Sequence, residues 1–134
     1  LAAAVWKLRR RPAPTIEKML SPRELAYLEL QRLIQDRLAE TDVKTFYVEL
    51  TSIVRRYIER TTGVRAPEQT TEEFLVEISR GETFAKAEGE RLKEFLEAAD
   101  LVKFAAQQPQ SDDVENSFQR AKRFLGLQKD DLAA

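Results

Sequence analysis

The 134-residue chain has no cysteine and no histidine. Without cysteine there is neither a disulfide framework nor thiol redox chemistry, and Cys/His zinc sites fall with both residues. Missing histidine also removes the side chain best suited to act as a general base near neutral pH. Four glycines stand isolated at 63, 81, 89 and 126, so no glycine-rich loop is present to cradle a phosphate. Five prolines are too few for a low-complexity linker. What the chain does have is 43% hydrophobic and 34% charged residues, the profile of one globular unit with a heavily ionised surface. A chain of this length buries roughly two-thirds of its unfolded surface, enough for one core without staples.

The formal net charge of -1 hides an asymmetry. Residues 1–67 carry 13 basic and 8 acidic side chains, whereas residues 68–115 carry 5 and 13. Four of the basic residues are Lys7, Arg9, Arg10 and Arg11, so the positive charge is a local cluster, not a basic face. Duplex binding calls for a basic stripe across the folded domain, and an acidic middle third is repelled by phosphate.

The chain begins Leu-Ala-Ala-Ala-Val-Trp-Lys-Leu-Arg-Arg-Arg-Pro. Six uncharged residues make about 9 Å of helix against roughly 30 Å of bilayer core, so they do not span. Trp6 followed by Lys7, Arg9, Arg10 and Arg11 matches the cytoplasmic edge of a transmembrane helix. Residues 1–14 are therefore expected to be the membrane-proximal end of a truncated span plus a Pro12/Pro14 spacer. The bland alternative is a disordered start with an incidental basic run.

Residues 15–127 read as a single all-α domain of about five helices. Ser21-Pro22 with Glu24 opens a helix that the apolar stripe extends to about 39; Thr15–Leu20 forms a separate short turn. Thr41-Asp42 opens a second, whose Val43, Phe46, Tyr47, Leu50, Ile53, Val54, Tyr57 and Ile58 face a core, with Gly63 as the stop. Its opposite face holds Lys44, Glu49, Ser52, Arg55, Arg56, Glu59 and Arg60. Thr70 and Glu73 form a capping box for a short helix ending at Gly81. A fourth helix runs from about Thr83 through Leu92, Phe95, Leu96 and Ala99. Ser111 is expected to cap the last, with Val114, Phe118, Ala121 and Leu125 inward. Residues 128–134 show no packing pattern and are expected to fray.

Catalytic constellations are sparse. Ser21, Ser52, Ser79, Ser111 and Ser117 have no histidine to activate them, and Ser21 and Ser111 are explained as caps. Glu73/Glu77 and Glu90/Glu94 share helix faces, but bundle metal sites add a Glu-x-x-His motif that is missing. Asp112-Asp113 lacks the alternating ligands and the glycine of a calcium loop. No enzyme activity, cofactor or metal is expected. A helix-turn-helix is disfavoured by the six-residue connection Val64–Gln69 and by Glu72, Glu73 and Glu77 where a recognition helix needs bases. Most aromatics lie on core stripes; Tyr27, Phe84 and Phe124 fit theirs less well, and an exposed one is an interaction anchor.

Two stretches carry a resemblance. Residues 42–59 read D-x-K-x-F-Y-x-E-L-x-x-I-x-R-x-Y-I-E, followed by G-V-x-A and then T-T-E-E-x-L; residues 95–105 read F-L-E-A-A-D-L-V-K-F-A, with Pro109 beyond. Over residues 42–125 the chain resembles the cytoplasmic helical module that follows a transmembrane helix in bacterial proteins encoded beside MoxR-type AAA+ ATPases and von Willebrand A-domain proteins, including Bat aerotolerance clusters. The resemblance implies attachment to the inner membrane on its cytoplasmic side, a protein partner of one of those two types, and no catalytic residues.

In the A-D-L-V-K-F-A run, Asp100 is expected at a bend with Leu101, Val102 and Phe104 in the core and Lys103 at the surface. The functional alternative has Lys103 and Phe104 meeting a partner. The expected function is a non-catalytic protein–protein interaction domain, with the acidic third (Glu72, Glu73, Glu77) as the first-choice contact surface. Its alternatives are a DNA-binding or signalling output domain and a structural or dimerisation spacer.

Overall fold

Capping residues set the helix ends. The computed structural model describes residues 20–64, 69–81, 85–128 and 130–132. Helix α1 spans Pro22–Gln35: Ser21 Oγ accepts the Glu24 N–H at 3.1 Å, and Glu24 Oε1 accepts the Ser21 N–H at 3.3 Å. The stripe predicted a longer helix, to about 39. Instead Arg37 adopts a left-handed φ of 55°, and the chain restarts as a single turn, α2, Leu38–Thr41. After the break, Leu38 and Ala39 pack against the core.

Asp42 then caps α3, Val43–Thr62, accepting the Thr45 N–H at 3.2 Å, and Gly63 closes it at φ 80°. Helix α4, Thr71–Arg80, opens with the predicted Thr70/Glu73 box. Helix α5 covers Lys86–Phe104, and α6 covers Ser111–Phe124. The cap of α6 is one residue earlier than expected: the Gln110 N–H donates to Asp113 Oδ2 at 3.0 Å, and Ser111 is already helical. Asp113 reaches three residues back and fixes that register.

The fold is all-α, and among the described residues five longer helices and one turn surround a single core. Helix α3 is its centre and touches α1, α2, α5 and α6, while α4 leans on α5. Phe46, Leu50, Val54, Phe74, Leu92, Leu96 and Phe118 are fully enclosed. Within the stretch expected to fray, Lys122 Nζ donates to the Leu132 carbonyl at 2.6 Å and Leu132 packs on the core, while residues 129, 133 and 134 lie outside the described residues. Residues 1–14, the Thr15–Met19 part of the short turn, and the predicted start at Thr83 lie outside the described residues. No helix among the described residues is long and apolar enough to cross a membrane.

Candidate functional site

Counting along α5 identifies the site. Leu92, Leu96 and Ala99 are buried at steps of four and three, and the next step of four lands on Lys103. A lysine therefore occupies a core-facing position, and its side chain is only 11% exposed. With 3.6 residues per turn, Leu101 and Phe104 point away from that stripe. The expectation for this run is thus inverted. Helix α5 continues through Asp100 to Phe104; Leu101 is 49% exposed and Phe104 81%, while Lys103 is tucked inward. Only Val102 fills the core as expected.

Lys103 is accommodated by polar groups from two helices. Its Nζ donates to Thr51 Oγ1 at 3.1 Å and lies 3.4 Å from Asp100 Oδ1. Thr51 is itself buried and donates to the Tyr47 carbonyl of α3 at 2.9 Å. Nζ also sits 5.6 Å from the Phe104 ring centroid. Burial pushes the Lys103 ammonium below its ordinary value; the Asp100 carboxylate works against that shift, and the Arg55 guanidinium adds to it.

Arg55, expected on a solvated face, is a strut. Its Nη1 donates to the Gln69 carbonyl at 2.5 Å and its Nη2 to Thr71 Oγ1 at 2.8 Å, fixing the start of α4 to α3. Its guanidinium lies 5.2 Å over the Phe74 ring. Burial lowers its pKa, opposed by Asp100. Arg56 and Arg60 likewise reach Glu29 of α1, at 2.5 and 2.7 Å.

Thr51, Arg55, Arg56, Gln69, Thr71 and Lys103 line an open groove of about 650 Å³ between α3, the start of α4 and the end of α5. Its walls include Val48, Ser52, Glu72, Asp100 and Phe104. A shallower depression continues over α4, sharing Gln69 and Glu72 and adding Glu73, Val76 and Glu77. Three of the residues singled out by sequence, Glu72, Lys103 and Phe104, therefore meet at one groove, with Glu73 and Glu77 just outside it. The two outer glutamates also have local tasks: Glu73 Oε1 accepts the Thr70 N–H at 3.3 Å, and Glu77 accepts from the Gln69 amide. Trp6, Lys7, Arg9, Arg10 and Arg11 lie outside the described residues.

A second depression, of about 690 Å³, lies beside α6 among Gln119, Arg120, Arg123 and Gln128. It carries none of the exposed large apolar side chains. Among the described residues no group of three or more acidic side chains is placed to hold a metal ion. Phe124, expected to fit poorly, packs on Phe95 at 5.8 Å, and Phe84 lies outside the described residues; among those described, the exposed aromatic is Phe104, which its stripe placed inside.

What such a groove offers is contact. An exposed aromatic beside a half-buried, hydrogen-bonded ion pair gives apolar area with a fixed polar margin, the make-up of an interface centre. No protein-family model matches the chain, and neither a curated protein nor a solved structure matches it.

Proposed function

We propose that this chain is a non-catalytic interaction module whose docking surface is the groove between α3, α4 and α5. The observation that carries the reading is Phe104, 81% exposed at the groove wall. Burying a phenylalanine stabilises by about 1.5–3 kcal/mol, so a ring left in water forgoes most of that. Leu101 and Val48, 49% and 39% exposed, extend the apolar area on α5 and α3. Patches of this kind mark contact sites.

The resemblance of residues 42–125 supports a partner of the MoxR-type AAA+ or von Willebrand A-domain kind, and a tether through residues 1–14 to the inner membrane on its cytoplasmic side. The acidic α4 face, with Glu72, Glu73 and Glu77, forms the outer margin of the docking surface.

The test is site-specific photo-crosslinking from position 48, across the groove from Phe104, with the full-length protein in its native cells. Crosslinks to an AAA+ or von Willebrand A-domain protein that vanish with Phe104→Asp support the reading. Crosslinks indifferent to Phe104→Asp reject the groove as the docking site. Phe104→Ala is expected to weaken partner binding at least about thirtyfold while changing stability by no more than about 0.5 kcal/mol.

A further inference from the structure

Resting on that docking reading, we propose that the occupant of the groove is a basic, apolar segment of a partner protein, one that sets an arginine or lysine beside Phe104 and its apolar side chains over Leu101 and Val48. The argument is one of charge placement. The cations of the groove are already engaged: Lys103 is bonded to Thr51 and Asp100, Arg55 holds the start of α4, and Arg56, its side chain 36% exposed, is held by Glu29. The carboxylates an incoming chain meets lie on both walls. Glu72 is exposed on the α4 wall, and the Asp100 side chain is 29% exposed on the α5 wall. Glu97 lies one helical turn before Leu101 on the same outer side of α5, and its pairing with Lys93 is loose at 3.8 Å.

An acidic segment would meet Glu72 and Asp100 on the groove walls and Glu97 one turn before Leu101, with the groove's cations already engaged in their own pairs. A basic segment meets carboxylates together with the 81% exposed Phe104 ring, against which Lys103 Nζ already lies at 5.6 Å. A cation against an exposed ring gains about 0.5–1 kcal/mol, and more once the pair is desolvated. Charge of one sign around an apolar centre also speeds encounter and makes binding salt-dependent.

The probe is a phage-displayed random dodecapeptide library panned against the full-length protein, with enriched sequences resynthesised and titrated. Enriched peptides are expected to carry Arg or Lys within one helical turn of an aromatic or leucine. Their affinity should fall about tenfold or more with Phe104→Ala and severalfold with the Glu72→Gln/Glu97→Gln double variant, and should weaken as salt rises. Circular dichroism melts of both variants that overlay the parent exclude unfolding as the cause. Peptides that depend on Phe104 but are acidic or neutral, or ignore the double variant, overturn the basic occupant and leave the docking groove standing. No enrichment, or binding indifferent to Phe104→Ala, overturns both. Binding that rises tenfold when Lys7, Arg9, Arg10 and Arg11 are all replaced by Gln overturns the partner assignment, because the chain's own basic run is then the occupant.

Discussion

Arg37 and Gly63 have the same backbone conformation with different side chains. Both have positive φ, 55° and 80°. For a residue with a Cβ, that region costs roughly 1–2 kcal/mol, and for glycine it costs almost nothing sterically. Arg37 recovers little through its ion pair with Glu40 at 2.8 Å, because both side chains are about seventy per cent exposed. Arg37→Gly is accordingly expected to stabilise the protein by up to about 1 kcal/mol, the relief of strain exceeding the entropy lost by glycine. Gly63→Ala is expected to destabilise it by about 1 kcal/mol, and purely through the backbone, since an added Cβ meets nothing within 4 Å. Urea unfolding of the two variants checks the pair; an Arg37→Gly protein weaker than the parent would show that its ion pair outweighs the strain. Gly63 is legible from sequence as a helix stop. Arg37 is not, because no residue preference marks arginine for a left-handed turn.

Elements meet through side chains that the sequence assigns to the wrong environment. Lys103 joins α5 to α3, and its lowered pKa makes stability depend on pH with a definite sign. The folded protein holds the ammonium proton less tightly than the unfolded chain, whose lysines titrate near 10.5. Over the interval between the lowered value and 10.5 the unfolded state binds more protons, so stability rises with pH there. Tyr47 acts oppositely. Burial raises its pKa, chiefly, against the bond to Ser117 of α6 at 2.9 Å, so its contribution is complete below 10 and is lost as pH climbs through the raised value. Urea midpoints measured across alkaline pH for the parent and Lys103→Met separate the two. The rise below 10.5 is expected in the parent and absent from the variant, while the Tyr47 decline persists in both. Identical profiles would show that Lys103 is solvated.

On the scale of the molecule, α3 packs against both α1 and α6, and α5 completes the same core. One core means one cooperative unit. Phe118 is fully enclosed, and Phe118→Ala is expected to cost about 3–5 kcal/mol, a large share of the 5–15 kcal/mol typical of a whole domain. Far- and near-ultraviolet circular dichroism of the variant should melt together at a reduced temperature. A separate early transition for part of the helical signal would mean that an element such as α4 folds apart from the rest. The candidate site belongs to this scale as well, since its walls come from three helices separated by tens of residues.

By itself the sequence determined where α1, α3 and α4 begin, because a cap is a bond between residues three apart: Ser21 with Glu24, Asp42 with Thr45, Thr70 with Glu73. It also determined which stripe of α3 turns inward, because periodicity is carried within one segment. Even the burial of Lys103 was available to a count from Leu92, Leu96 and Ala99, although its charge argued against the answer. Only the tertiary structure decided that Glu29 receives Arg56 across 27 residues and that Arg55 holds the start of α4. Those outcomes depend on which helix covers which face. That is settled by packing between distant segments, where the gain in buried area is shared by the whole core and belongs to no local pattern.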